Sequence, residues 1–216
     1  MNNNLEPSRI DEKGNQYWEI DGKFHREDGP AILYYHGNKK WFKKGQLHRD
    51  GDLPAIEYSN GHKEWYKNGK LHRDGDSPAI IRHDNHKEWY KNGVLHRDND
   101  QPAIIKDKVK KWYINGELHR GNDLPAVKKD SGTEKWYWRN MHHRENDKPA
   151  TVSKDKKIWA LNGKNHRDKG PAIIHLDGKK EWFNEGRRIT EQEFNYIQLQ
   201  KSLEVKTNVV NKKIKV

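Results

Sequence analysis

Seven histidines, each followed by an arginine, are the clearest candidates for chemistry in this chain. The pairs recur every 23 or 24 residues, and six of the seven are followed by an aspartate two residues before a proline. A histidine beside a carboxylate can act as a general base or bind a metal. The histidines are His25, His48, His72, His96, His119, His143 and His166, and the arginines are Arg26, Arg49, Arg73, Arg97, Arg120, Arg144 and Arg167.

The spacing argues against a metal site or a catalytic site. If two or three strands separate equivalent histidines, they lie roughly 10–14 Å apart, too far to share one zinc ion. A single Asp near each His supplies too few ligands, and seven equal copies without a nucleophile do not resemble one active site. The chain has no cysteine, P-loop or dinucleotide-binding motif. We therefore expect no catalytic residue, no metal and no cofactor.

The interpretation that fits all seven copies is structural. Each His would lie beside a Trp across a hairpin, while each Arg and the nearby loop Asp form a charge-assisted hydrogen bond that holds the loop. Recognition by the arginine row remains an alternative. If the aspartates did not neutralise it, this row could follow a phosphate backbone.

The elements that position these residues are hairpins repeated along the chain. Eight tryptophans recur at 23 or 24 residues, and a fixed period of this size indicates a repeat architecture. Asn-Gly and Asp-Gly pairs, such as Asn68-Gly69, are typical of two-residue hairpin turns. The predicted structural positions, together with the seven histidines, are Trp18, Trp41, Trp65, Trp89, Trp112, Trp136, Trp159 and Trp182.

These turns predict a strand register. A two-residue turn at Asn68-Gly69 places Trp65 opposite His72, and one at residues 60–61 places Ile56 opposite Trp65. The same rule predicts the pairs Ile32–Trp41, Val127–Trp136 and Ile173–Trp182. In the shorter repeats, three-residue turns are predicted at residues 107–109 and 154–156. The alanine after each loop proline indicates a crowded position.

The two ends differ from the repeats. We predict a polar arm over residues 1–16, seven and a half repeats over 17–186, a C-terminal capping segment over 187–205 and a basic tail over 206–216. Thr190 and Glu193 form a capping-box pattern, and Phe194, Ile197, Leu199 and Leu203 follow with helical spacing. The expected fold is an all-β, elongated repeat β-meander, a single twisted sheet with a C-terminal capping helix.

Composition limits the partners. The chain has 216 residues and a formal net charge of +11, spread at roughly one unit per repeat. Such a charge suits nucleic acid, an anionic membrane surface or an acidic protein, but we favour the simpler interpretation of a solvated charged face that keeps a long sheet in solution. No apolar run reaches membrane-spanning length, and residues 1–7 have neither the basic flank nor the apolar run expected of a signal peptide. We expect no transmembrane segment and a soluble, intracellular or particle-associated protein.

One repeat carries a family resemblance. It resembles MORN-type repeats, and more closely the variant with His-Arg, an acidic residue, Gly and Pro-Ala that is abundant in giant viruses, particularly marseillevirus-like ones, and in some bacteria and phages. A viral origin implies a location in a virion or in host cytoplasm. The resemblance covers residues 17–186 and implies stacked hairpins that serve as scaffolds or as interaction and dimerisation modules. The residues are Glu64-Trp65-Tyr66-Lys67-Asn68-Gly69-Lys70-Leu71-His72-Arg73-Asp74-Gly75-Asp76-Ser77-Pro78-Ala79-Ile80.

The leading functional expectation is a non-enzymatic structural scaffold that binds other proteins. The resemblance extends this to a minor virion protein that contacts capsid or core proteins of a large DNA virus, with self-association as a further possibility. The alternatives are an electrostatic binder of nucleic acid or an anionic membrane surface, and an effector that interacts with a host protein.

Overall fold

The chain folds as a mostly β protein, a meander of antiparallel hairpins followed by one C-terminal helix, as the sequence predicted. The structure is a computed structural model that describes residues 6–214, with side chains described for residues 6–206. It divides into two compact units, Met1–Glu117 and Leu118–Val216. We call these the N-terminal unit and the C-terminal unit.

The strands of the N-terminal unit are short, and each holds two or three residues. They are β1 (Arg9–Ile10), β2 (Gln16–Tyr17), β3 (Glu19–Ile20), β4 (Lys23–Phe24), β5 (Ile32–Leu33), β6 (Lys39–Lys40), β7 (Phe42–Lys43), β8 (Gln46–Leu47), β9 (Ile56–Glu57), β10 (Lys63–Glu64), β11 (Tyr66–Lys67), β12 (Lys70–Leu71), β13 (Ile80–Ile81), β14 (Lys87–Glu88), β15 (Tyr90–Lys91), β16 (Val94–Leu95), β17 (Ile104–Lys106), β18 (Val109–Lys111) and β19 (Tyr113–Ile114). The next strand, β20 (Glu117–Leu118), includes the division between the units.

Two kinds of pairing alternate within this unit. A meander sheet runs in the order β1, β2, β5, β6, β9, β10, β13, β14, β17 and β18, with every neighbouring pair antiparallel. The intervening strands form separate two-stranded hairpins, β3–β4, β7–β8, β11–β12 and β15–β16. Each repeat therefore contributes two strands to the sheet and one short hairpin beside it.

The C-terminal unit follows the same plan and ends in the helix. Strands β21, β22, β25, β26, β29, β30 and β31 pair in that order, while β23–β24 and β27–β28 are short hairpins. The elements are β21 (Val127–Lys129), β22 (Glu134–Lys135), β23 (Tyr137–Trp138), β24 (Met141–His142), β25 (Thr151–Val152), β26 (Lys156–Ile158), β27 (Ala160–Leu161), β28 (Lys164–Asn165), β29 (Ile173–His175), β30 (Lys180–Asn184), β31 (Arg187–Ile189) and α1 (Glu191–Ile214).

The hairpin turn after each Trp has the predicted form. Asn68 and Gly69 both have positive φ, at 51° and 77°, as a type I′ turn requires. Tyr66 pairs with Leu71, and the His72 amide donates to the Trp65 carbonyl at 3.1 Å, which confirms the predicted register of this hairpin.

The register predicted across the turn that precedes each Trp, at residues 60–61 in the example above, is wrong by one residue. Ile56 pairs with Glu64, not with Trp65, because residues 59–61 form a three-residue turn in which Gly61 has φ of 85°. A type I turn followed by a left-handed residue gives this odd loop length. The predicted Ile–Trp–His row therefore does not exist. The observed pairs are likewise Ile32–Lys40, Val127–Lys135 and Ile173–Glu181.

The turns of two 23-residue repeats support this explanation, because they are one residue shorter than those of the 24-residue repeats. Lys106 pairs with Val109, and the Ser153 amide donates to the Lys156 carbonyl at 3.0 Å, so these turns have two residues and not the three predicted. Those repeats have lost the third residue of the turn. The length change falls in a loop, and the strand pairing continues around it.

The Trp, Ala and Ile positions that recur in each repeat form its core. The Trp65 amide donates to the Ala79 carbonyl at 2.8 Å, at a break between the sheet strand and the hairpin strand. Ala79 has no exposed surface, and Ile80 beside it is also buried. The alanines after the other loop prolines are equally enclosed, which confirms the crowded position: Ala31, Ala55, Ala103, Ala126, Ala150 and Ala172.

The helix begins where the sequence predicted and ends later. The Thr190 amide donates to Glu193 Oε2 at 2.7 Å and the Glu193 amide donates to Thr190 Oγ1 at 3.1 Å, which completes the capping box. α1 continues to Ile214, beyond the predicted end near residue 205 and into the predicted tail. The segment after residue 205 contains no Gly or Pro that would end the helix.

Candidate functional site

Six of the seven histidines of the His-Arg pairs join consecutive repeats. His119 differs, because its buried Nδ1 has no hydrogen-bond partner among the described residues and its ring lies 4.6 Å from the Trp138 ring. The backbone amide of Asn92 donates to His72 Nδ1 at 3.1 Å, and His72 Nε2 lies 2.9 Å from Asp74 Oδ1. Because a backbone amide can only donate, Nδ1 is the acceptor and Nε2 carries the proton toward the carboxylate. The amides of Lys44, Asn68, Asn115, Asn162 and Glu185 donate in the same way to His25, His48, His96, His143 and His166.

The arginines make a second bond between repeats. Arg73 donates from Nε to Asp52 Oδ1 at 2.7 Å and from Nη2 to Asp52 Oδ2 at 2.9 Å. Arg73 Nη1 also donates to the Pro78 carbonyl at 3.3 Å, within its own repeat. The sequence indicated a nearby Asp but not that the preceding repeat supplies it. Equivalent bidentate pairs are Arg97–Asp76, Arg144–Asp123 and Arg167–Asp147.

The tryptophans complete this arrangement. The guanidinium of Arg73 lies over the Trp65 ring, with Cζ 4.0 Å from the ring centroid, and Trp65 Nε1 donates to the Asp52 carbonyl at 3.1 Å. One aspartate thus binds the Arg through its side chain and the Trp through its backbone. The same stacking joins Arg26–Trp18, Arg49–Trp41, Arg97–Trp89, Arg144–Trp136 and Arg167–Trp159.

The first two arginines have different carboxylate partners. Arg26 donates to Asp28 in its own loop at 3.1 Å, and Arg49 donates to Glu57 at 2.9 Å. The loop that holds Asp28 is one residue shorter than the loops of the next five His-Arg pairs. Gly29 allows this loop to close over Arg26, because a Cβ at Gly29 would lie 2.9 Å from the guanidinium carbon.

These contacts fix the ionisation of the carboxylates. The hydrogen bonds from Arg73 lower the pKa of Asp52, and those from Lys67 and His72 lower the pKa of Asp74. The hydrogen bond from Arg144, assisted by Lys148, lowers the pKa of Asp123 to about 2. The aspartates are therefore anionic acceptors for their cationic partners, and they are poorly suited to accept a proton at neutral pH.

The predicted positions do not converge on a single centre. Among residues 6–206, no group of three or more His, Asp or Glu side chains is placed to hold a metal ion. Open clefts instead recur between successive His-Arg loops. One cleft of about 300 Å³ lies between the loop of Arg73 and Asp74 and the hairpin of Tyr90 and Lys91. Most of its lining side chains already form the His and Arg contacts between repeats, which together we call the His-Arg ladder.

A set of half-buried Tyr–Glu–His contacts was missed at the sequence level. Tyr90 donates to Glu88 Oε2 at 2.9 Å, and His86 Nε2 lies 2.9 Å from Glu88 Oε1. Burial raises the pKa of Tyr90 and lowers the pKa of His86. The same geometry recurs 24 residues earlier, and the octapeptide His-Lys-Glu-Trp-Tyr-Lys-Asn-Gly, present at 62–69 and 86–93, was the available signal.

A lysine row on the meander sheet was also missed. Lys39, Lys63, Lys87 and Lys110 each stand two residues before a Trp, and we call these four residues the lysine row. Lateral pairing places them on one face of the N-terminal unit, in the order Leu33, Lys39, Glu57, Lys63, Ile81, Lys87, Ile105 and Lys110. Lys157 and Lys180 hold the equivalent position in the C-terminal unit.

Neither a protein-family model nor a curated protein matches this chain. The similarity to MORN-type repeats therefore depends on the repeat motif and on the stacked hairpins. Within the described residues, no helix has the length and apolar character needed to cross a membrane.

Proposed function

We propose that this chain is a non-enzymatic scaffold, built from MORN-type repeats, that binds other proteins. The observation that carries the proposal is the use of the His-Arg ladder. His72 accepts a hydrogen bond from the next repeat and Arg73 donates two to the preceding one. The side chains best suited to chemistry are thus used to join repeats, as in arrays whose stability comes from contacts between neighbours.

The pattern of repetition supports the same conclusion. The bond between a hairpin amide and a His Nδ1 occurs six times with distances of 3.0–3.1 Å. An active site requires one constellation that differs from its surroundings, with a nucleophile or a base near a substrate position. Equal copies of one contact instead favour a structural role.

Exposed apolar side chains on the C-terminal unit support binding to protein. Trp138 is 49% exposed, and Met141, its partner across the hairpin, and Leu161 on the next hairpin are also exposed. Trp138 stands where three other repeats have lysine. Tryptophan and methionine are enriched at protein interfaces, and Trp is frequent among residues that dominate binding energy.

The resemblance to repeats of marseillevirus-like viruses extends the proposal to a virion. We infer that the protein is a minor particle component whose partners are capsid or core proteins. The argument is one of family analogy. This inference predicts that the protein is present in purified virus particles.

Quantitative mass spectrometry of purified particles from the virus that encodes the chain tests the location. We expect a fixed copy number and, after chemical cross-linking, links to capsid or core proteins. Absence from the particles would overturn the virion assignment. A chain that forms no cross-link to any protein, in particles or in infected cells, would overturn the scaffold itself.

A matched pair of variants tests whether the exposed surface around Trp138 binds a partner. Trp138→Lys introduces the residue found at this position in other repeats, and Ile20→Lys makes the same change at the equivalent hairpin position of the N-terminal unit. If Trp138 contacts a partner, only the first variant loses cross-links from the C-terminal unit. Equal cross-linking in both variants would contradict a role for Trp138.

A further inference from the structure

The lysine row differs from the lysines two residues after Trp41, Trp65 and Trp89 in the same repeats. No described residue forms a side-chain hydrogen bond or ion pair with Lys39, Lys63, Lys87 or Lys110, in the part of the chain whose side chains are described. Three lysines on the neighbouring hairpins are all paired: Lys43 with Asp50 at 2.9 Å, Lys67 with Asp74 at 2.8 Å and Lys91 with Asp98 at 3.0 Å. The N-terminal unit therefore includes an unpaired linear array of lysines on one face of its sheet.

The spacing of the row follows from the sheet. Successive members lie on every second strand, so strands about 4.8 Å apart place them roughly 10 Å apart. Four lysines then extend over about 30 Å, which is close to one turn of a B-form duplex. Lys63 and Lys110 are exposed, while Lys39 and Lys87 are partly exposed.

We propose that the lysine row binds the sugar–phosphate backbone of a double-stranded nucleic acid. Each unpaired lysine that contacts a phosphate releases condensed counterions, which favours binding without reading any base. This function is separate from binding to protein partners and uses lysines that take no part in the Arg–Trp stacking.

The neighbours of the row favour a duplex over other polyanions. The apolar residues paired with the lysines are Leu33 at the end of the row and Ile81 and Ile105 within it, and all three are only partly exposed and offer little to insert into a membrane. The row contains no aromatic ring on which a base of a single strand could stack. Evenly spaced lysines without aromatic or apolar binding groups are suited to the evenly spaced phosphates of a duplex backbone.

One acidic residue lies in the row. Glu57 is directly opposite both Lys39 and Lys63, but its carboxylate accepts a hydrogen bond from Arg49 Nη1 at 2.9 Å. Arg49 and Glu57 thus neutralise each other, and the lysines retain their charge. This is also the repeat in which the Arg lacks its usual Asp partner.

The test compares two triple variants of the full chain. Lys39, Lys63 and Lys87 are replaced by Gln in the row variant, and Lys43, Lys67 and Lys91 by Gln in the control, which has the same charge change in the same repeats. Fluorescence anisotropy with a labelled 20-base-pair duplex gives the affinity at several salt concentrations. The slope of log K against log salt should fall in magnitude by about 0.9 for each row lysine removed, and stay nearly unchanged in the control.

Two further measurements keep the outcome decisive. Thermal denaturation must show that both variants are folded, and Lys→Arg at the three row positions must restore the slope because it retains the charge. Equal slopes in the row variant and the control would overturn the proposal. Binding to vesicles that contain phosphatidylserine, with none to the duplex in low salt, would overturn it as well.

Discussion

The guanidinium of Arg73 binds the carboxylate of Asp52, a residue 21 positions earlier in the chain, through two hydrogen bonds of 2.7 and 2.9 Å. The Asp52 backbone carbonyl simultaneously accepts a bond from the Trp65 indole. Asp52 has a φ of 54°, a conformation that costs free energy for a residue with a side chain. The contacts from the following repeat hold the loop in this shape, so consecutive repeats stabilise each other.

A double-mutant cycle on Arg73 and Asp52 should detect this coupling. Arg73→Ala removes both the bidentate bond and the stacking on Trp65, and we expect a loss of about 1–3 kcal/mol in the free energy of unfolding. Asp52→Asn should cost less, because the carboxylate is more than half exposed. Chemical denaturation of the two single variants and the double variant should give a coupling of about 0.5–1 kcal/mol. Strict additivity would contradict a direct interaction.

Replacement of a single ladder histidine should lower stability in a graded way. His72→Ala leaves the Asn92 amide without its acceptor, and we expect a loss of about 1–2 kcal/mol and a decrease of several degrees in Tm. His83→Ala, at an exposed turn position, is the control and should change Tm little. If the histidines were catalytic, His72→Ala would instead abolish activity and leave Tm unchanged.

Stability should fall in acid as the loop aspartates become protonated. Asp123 has a pKa lowered from 3.8 to about 2 by its hydrogen bonds from Arg144 and Lys148. A lowered pKa in the folded state means that the stabilisation is complete above about pH 4 and is lost as the pH falls toward 2. Urea denaturation between pH 2 and pH 6 should show this decrease.

The Asp123→Asn variant should flatten that pH profile over the same interval. Asp130→Asn removes a carboxylate from an exposed turn of the same unit and serves as the control. An unchanged pH profile in Asp123→Asn, with the wild-type slope between pH 2 and pH 4, would rule out this carboxylate as the source.

The type I′ turn at Asn68-Gly69 should be destabilised by alanine at its second position. Gly69 has φ of 77°, and an added Cβ would also lie 3.9 Å from Gln46 of the preceding hairpin. Gly69→Ala should therefore cost about 1–2 kcal/mol because a left-handed conformation disfavours alanine. Gly121→Ala is the matched control, since its φ is not in the left-handed region and its Cβ position is open. Equal Tm values for the two variants would show that the turn can adopt another shape.

Local signals predicted the repeat well. The Trp period indicated a meander of hairpins, the Asn-Gly pairs predicted the type I′ turns, and Thr190 with Glu193 predicted the start of α1. Each of these depends on residues within a few positions of one another. The local backbone preferences that produce them are already present in the sequence.

Contacts across repeats were predicted less well. The turn near Gly61 could hold two or three residues, and only the paired strands fix three, which moves Ile56 from Trp65 to Glu64. The partner of Arg73 was equally ambiguous, because Asp52 and Asp76 have the same position in successive repeats. A periodic sequence offers the same residue type at several distances, so the sequence alone does not choose between them.

The sequence by itself determined that this protein is an array of short hairpins, because turn geometry and capping are local properties of a few residues. The tertiary structure decided how the repeats are joined: His72 accepts from the next hairpin, Arg73 binds the preceding loop, and Lys63 is left unpaired on the outer face. These outcomes depend on the register of strands that are distant in sequence. A shift of one residue in that register would exchange the faces, and with them the surface available to partners.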